Sequence, residues 1–213
     1  MMRSDFTSVR KSDESFFRSF AAGFIHVSKD QQLRLITLLQ FFSNVAITGS
    51  IFLLVISLEA AGTPTVIIGS LSGALGGAGI IGAMLVPWIT RKLSFNAVLI
   101  SSSVVVAVTI SMASVLSGTY AMAIPLALSV LLAPSAGAVV FARIAVHVDS
   151  ERLGRVLSVQ KLSGIGGSAA SKPLTGYAFG AFGQWGSTLL VGSALIAVTI
   201  SFYIRRVTQG GSS

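Results

Sequence analysis

The chain of 213 residues has no cysteine, and only 10% of it is charged. Without a thiol there is no disulfide, no thiolate metal site and no cysteine nucleophile. Soluble domains carry about 25% charged residues. A water-soluble fold with 53% hydrophobic residues would lack the polar coat its core needs. Acidic residues are scarcer still: Asp5, Asp13, Glu14, Asp30, Glu59, Asp149 and Glu151, none of them inside a long apolar run. No membrane-buried carboxylate is therefore on hand to carry a proton. The two histidines, His26 and His147, stand far apart in sequence and form no catalytic or ligand set. No enzyme activity, metal or cofactor is expected.

What the chain has is apolar length, with a mean hydropathy of +0.83. Crossing a bilayer as a helix takes about 20 apolar residues. Six such runs are read at about 34–58, 65–89, 95–115, 121–147, 156–182 and 187–204, so the expected fold is an all-α membrane protein with six transmembrane helices over 34–206. Turn chemistry separates them, as in Ala60–Pro64 (AAGTP), Ser117–Tyr120 (SGTY) and Gly183–Gly186 (GQWG). Residues 1–33 form a cytoplasmic arm, and 207–213 a flexible tail. No early apolar run marks a cleavable leader in the first 32 residues. Within the arm, Phe16, Phe20, Phe24 and Val27 recur at helical spacing. They suit a short amphipathic helix at about 16–27 on the membrane surface, or a linker with scattered Phe.

The net charge is +8. In a soluble protein that balance points to nucleic acid. Here the cations sit between the runs, a pattern of topology and lipid headgroup contact, and no nucleic-acid partner is expected. The arm carries Arg3, Arg10, Lys11, Arg18, Lys29 and Arg34. The loop after the second run has Arg91 and Lys92, the loop after the fourth has Arg152 and Arg155, and the end has Arg205 and Arg206. The three intervening loops have no Lys or Arg. This alternation predicts both termini on the cytoplasmic side of a cell membrane.

Three sets of residues inside the runs call for explanation. Gly77-Ala78-Gly79-Ile80-Ile81-Gly82 matches a dinucleotide fingerprint but lies mid-run, with no acidic residue downstream where that motif needs one. Helix packing fits better: Gly69, Gly73 and Gly77 have small-xxx-small spacing, and the fifth run repeats it with Gly164 and Ser168 and with Gly176 and Gly180. Two such runs at corresponding places suggest a three-plus-three internal repeat. Second, Gln40, Asn44 and Thr48 form one polar stripe on the first run. It lines a substrate path or hydrogen-bonds a neighbouring helix. Third, Lys172 sits near the middle of the fifth run, where a charge costs about 3 kcal/mol or more. It contacts substrate or a counter-ion, meets a partner helix, or sheds its proton in the apolar medium. Arg143 and Lys161 lie close enough to the inner surface to snorkel.

Four features together resemble the C-terminal half of a major facilitator superfamily transporter of the efflux type. Phe16–Val27 followed by Lys29–Leu39 resembles the end of the family's central loop entering helix seven. Gly82–Leu93 (GAMLVPWITRKL), with Arg91 and Lys92, is similar to the helix 8–9 loop. Asp149–Ser158 (DSERLGRVLS), with Asp149, Arg152, Gly154 and Arg155, is similar to the helix 10–11 loop, although Leu153 stands where the family often has Arg. The Gly/Ser-rich run ending at Pro173 resembles helix eleven.

The resemblance implies half of a bundle that exports a small molecule or drug by alternating access, usually coupled to protons. Its partners would be membrane lipids, a small-molecule substrate and a second six-helix half, on a separate chain or in a homodimer. Any coupling carboxylate would come from that half. The competing expectation is a non-transporting assembly or regulatory protein that binds another membrane protein.

Overall fold

The computed structural model describes Ile25 and residues 27–210. Most of the proposed amphipathic stretch, including Phe16, Phe20 and Phe24, lies outside these residues. The described chain is all-helical. Its six long helices are α1 (Gln31–Ala60), α2 (Thr65–Lys92), α3 (Phe95–Val115), α4 (Ala123–His147), α5 (Ser150–Phe182) and α6 (Thr188–Gly210). Short 3-10 turns, Tyr120–Met122 and Gly183–Ser187, precede α4 and α6.

Local chemistry sets the helix ends. α1 starts at Gln31 because the Asp30 carboxylate accepts the Leu33 N–H at 3.0 Å. The Ser94 hydroxyl accepts the Ala97 N–H at the start of α3. Gly62 (φ +75°) turns the chain from α1 toward α2, and Gly183 (φ +58°) ends α5, both in the region that strains other residues. α6 continues past Arg205 and Arg206 to Gly210.

Four of the helices are each long and apolar enough to cross a membrane, and a fifth such stretch runs from Arg152 to Thr208. That stretch holds 57 residues. As one helix it would be about 85 Å long, far beyond a hydrocarbon core of about 30 Å. The break at Gly183 makes it two antiparallel helices, α5 and α6. The described chain is therefore a multi-pass membrane bundle.

α1 is the central helix, with no exposed residue between Leu39 and Leu58. It packs most extensively on α5 and α6, while α4 packs on α2 and α3, and α3 meets α6. Chain neighbours α2 and α3 barely touch, and neither do α5 and α6. Exchanging α1 with α4, α2 with α5 and α3 with α6 maps each major pairing onto another or onto itself.

The match extends to individual residues. In the α2–α4 seam, Gly79 lies against Val130, and a side chain on Gly82 would collide with the Leu131 carbonyl oxygen. In the α1–α5 seam, Gly164 lies against Asn44 and Gln40, and a side chain on Gly167 would collide with the Phe41 carbonyl oxygen and crowd Asn44. Both seams thus close on a Gly-x-x-Gly step over two consecutive residues of the facing helix.

The apolar core forms two clusters. One gathers Leu54, Leu58, Ile68, Ile110, Met122 and Leu126. The other gathers Leu33, Ile36, Leu99, Ile144, Val156 and Ile204. The second cluster lies toward the basic end of the bundle. Every described Lys and Arg except Lys161 and Lys172 falls within about two turns of that end. Glu59, Tyr120 and Trp185 mark the opposite end, all exposed.

Candidate functional site

A concave region opens where α1 and α4 diverge. The smaller cleft, about 160 Å³, has α3 as its floor and is lined by Gln40, Ser43 and Asn44 of α1, Ser102 and Ser103 of α3 and Gly137 of α4. A larger cleft, about 530 Å³, continues toward the basic end between α1, α4 and α5. Its walls are Val140, Phe141, Ile144 and Leu157, with Gln40, Ser158, Gln160 and Lys161 as polar groups. That volume and mostly apolar lining fall in the range of small-molecule sites. Gln40 is the polar side chain common to both clefts.

The polar stripe of α1 divides by function. Gln40 faces the clefts. The Asn44 Nδ2 donates to the Gln40 carbonyl oxygen at 2.8 Å, and its Oδ1 accepts the Ser168 hydroxyl at 3.3 Å. Thr48 and Ser168 share a hydroxyl contact at 3.2 Å. Asn44 and Thr48 therefore tie α1 to α5, although Asn44 also borders the smaller cleft.

A second set of bonds lies nearer the basic end. Thr37 donates to the Leu33 carbonyl at 2.8 Å and accepts from Gln160 Nε2 at 2.7 Å, and Ser163 donates to the Thr37 carbonyl at 3.0 Å. Neither Gln160 nor Ser163 stands out in the sequence, since single polar residues in an apolar run carry no period.

The small residues are placed unevenly. Gly164 and Ser168 lie in the α1–α5 seam, and a Cβ added at Gly176 would come 3.6 Å from the Phe52 ring. A side chain at Gly69, Gly73, Gly77 or Gly180 would meet nothing within 4 Å. No helix of the described chain comes close there; within α2 and α5 the tight approaches are at Gly82 and Gly167 instead. α2 is the least covered helix, burying only Ile68, Leu75 and Gly82.

Lys172 is exposed and lines neither of these clefts. It does share a direction with Lys161. Eleven residues along a helix bring it about 20° around and about 16 Å along the axis from Lys161. The side of α5 that borders the larger cleft thus carries two cations.

The loop residues sit at the basic end. Arg91 and Lys92 close α2, where cations suit the helix dipole, and the Lys92 ammonium lies 4.4 Å from the centre of the Trp88 ring. Arg152, Gly154 and Arg155 are exposed in the first turns of α5. Cations are unfavourable at a helix start, so that dipole gives them no support. Asp149 precedes α5, and its carbonyl accepts the Arg152 and Leu153 N–H groups.

One ion pair joins two helix ends. Asp30 Oδ2 lies 3.1 Å from His147 Nε2, linking the start of α1 to the end of α4. Partial burial pushes the Asp30 carboxyl up. The Leu33 N–H and then the His147 hydrogen bond and charge together outweigh it, leaving the group below its ordinary value. Among the described residues, no group of His, Asp and Glu could hold a metal.

Comparison of the chain with protein-family models, curated proteins and solved structures finds no match in any of the three.

Proposed function

We propose that this chain is one six-helix half of a transporter of the major facilitator type, exporting a small molecule by alternating access against a second six-helix unit. The observation that carries this reading is the doubled seam. Gly79–Gly82 on Val130–Leu131 and Gly164–Gly167 on Gln40–Phe41 relate α1–α3 to α4–α6. Each unit has an odd number of helices, so the second is inverted relative to the first. Inverted repeats of this kind are how such transporters build a half-bundle with a site near mid-membrane.

Further observations support it. The basic residues gather at one end, which is then cytoplasmic. A largely apolar cleft with a few polar groups opens toward that end. α2 carries an open glycine face suited to another transmembrane helix. With every carboxylate of this chain in the arm or within a turn of a helix end, a coupling acid near mid-membrane belongs to the second unit, which is on another chain or elsewhere on the same one.

The absence of cysteine permits a direct test. A single Gln40→Cys variant in native membranes should react with a membrane-impermeant maleimide from the basic side, and an imposed proton gradient should change that rate by about threefold or more. Labelling from neither side, while Arg152→Cys reacts, would remove the reading. A rate indifferent to the gradient favours the second reading, a non-transporting membrane protein that docks another through the open face of α2.

A further inference from the structure

The larger cleft has a polar end whose needs the chain leaves unmet. Gln160 is nearly buried, at 7% exposure. Its amide orientation follows from its neighbours. The Thr37 hydroxyl donates to the Leu33 carbonyl, so its oxygen accepts from Gln160 Nε2. This leaves Gln160 Oε1 shielded from water and without a donor. The next residue, Lys161, lines the same cleft. The acidic side chains described, Asp30, Glu59 and Asp149, lie at helix ends, and the one ion pair among the described residues joins Asp30 to His147. Gln40 borders the cleft and makes no side-chain hydrogen bond among the described residues.

Snorkelling accounts for only part of this. The Lys161 side chain leans toward the start of α5, the basic end, and water there can solvate its ammonium. That does nothing for Gln160 Oε1. A buried acceptor with no donor is unfavourable by the full desolvation of the group. One ligand head meets both needs as the Gln160 carboxamide turns its shielded oxygen into the cleft: an acidic group for Lys161 beside an N–H or O–H for Gln160. The remaining wall, Val140, Phe141, Ile144 and Leu157, calls for an apolar body.

We infer that this cleft binds an amphiphilic organic anion whose acidic group lies next to a hydrogen-bond donor, held by Lys161 and Gln160. The inference deepens the transporter reading by naming its substrate class. The binding itself can be measured without transport, so failure of one is distinguishable from failure of the other. The chemistry fits a free organic anion or a lipid headgroup such as phosphatidylglycerol, whose phosphate neighbours hydroxyls.

The test uses the purified full chain in phosphatidylcholine nanodiscs. The free-anion probe is 8-anilinonaphthalene-1-sulfonate, which carries an N–H beside its sulfonate, titrated by fluorescence against empty nanodiscs. In the lipid arm, phosphatidylglycerol is added, and retained lipid is counted by native mass spectrometry. Lys161→Gln should weaken binding about tenfold or more, as expected for a lost charge-assisted contact. Lys161→Arg should restore most of it, and Arg206→Gln, a matched charge loss on α6, should change nothing. Gln160→Leu should weaken the anilino probe several-fold but leave naphthalene-1-sulfonate, which lacks the N–H, unchanged.

Loss confined to the soluble probe identifies a free anion as the ligand. Loss of retained phosphatidylglycerol, with the probe displaced by that lipid, identifies a headgroup. Equal binding by wild type and Lys161→Gln in both arms, or no saturable binding in either, would overturn the inference.

Discussion

The α1–α5 seam and the α2–α4 seam share one geometry and differ in chemistry. Each closes where two glycines three apart ride over consecutive residues of the facing helix. Across α1–α5, side-chain hydrogen bonds join Thr37 to Gln160, Asn44 to Ser168 and Thr48 to Ser168. Across α2–α4, matching register puts Ala127, Pro134 and Ala138 where α1 has Thr37, Asn44 and Thr48. No side-chain hydrogen bond among the described residues crosses that seam. Gly76 of α2 holds the place of Lys161 in the same register. Close backbone packing alone is thus enough to hold two helices here. The polar groups added on one side build the cleft and its specificity.

Three measurements bear on that contrast, the largest effect first. If geometry carries both seams, Gly82→Leu and Gly167→Leu should each destabilise the bundle by about 3 kcal/mol, because a backbone carbonyl cannot move aside as a side chain can. Gly77→Leu, facing open space, should stay within about 0.5 kcal/mol in the isolated chain. Unfolding in mixed detergent micelles measures all three. A Gly77→Leu loss as large as the others would show the seams to be no tighter than the open face.

The polar layer predicts an asymmetry of intermediate size. Thr37→Val removes the nearer of two acceptors for Gln160 Nε2, leaving only the long bond to the Leu33 carbonyl at 3.5 Å, and should lower stability by about 1 kcal/mol. Ser168→Ala should lower it by only about 0.6 kcal/mol, the usual worth of an interhelical hydrogen bond in a membrane. Ala83→Ser, at the matching place of the apolar seam, should gain nothing measurable. A gain there equal to the Ser168 loss would mean the two seams are chemically interchangeable.

The smallest effect concerns the Asp30–His147 link at the basic end. Asp30 is held below its ordinary value when folded, so it adds stability above the unfolded value that disappears as pH falls through the folded one. Thermal stability followed from about pH 5 down to about pH 2 should show that loss, and His147→Ala, which brings the folded value closer to the unfolded one, should make the loss smaller. Asp30→Asn keeps a good helix cap and should cost less than about 1 kcal/mol at neutral pH. An unchanged acid profile in His147→Ala would mean the imidazole contributes nothing to Asp30.

Much of the bundle is legible in the sequence. Hydrophobic runs give the helices because a span of about 20 apolar residues leaves the bilayer as its natural solvent. Turn residues mark the reversals, as at Gly62 and Gly183. Gln40 stood out because a polar residue repeating at helical spacing in an apolar run singles out one face. Lys161 and Gln160 did not. Snorkelling explains a lone lysine near a helix end, and adjacent residues point about 100° apart, so only the cleft brings them together. The eleven-residue spacing from Lys161 to Lys172 was a usable signal that they share a face.

The sequence by itself determined that the chain is apolar and helical, and where its cations lie along it, because those properties depend on each run and its solvent. Which glycines close a seam was decided only by tertiary structure. Small residues recur in α2 at several phases, and the position of α4 selects Gly79 and Gly82 over Gly69, Gly73 and Gly77. The same holds for the polar stripe. Helical spacing put Gln40, Asn44 and Thr48 on one side of α1, but the arrival of Ser168 of α5 engaged Asn44 and Thr48 and left Gln40 to the cleft. Interhelical contacts depend on the register between segments far apart in the chain, and no single run encodes that register.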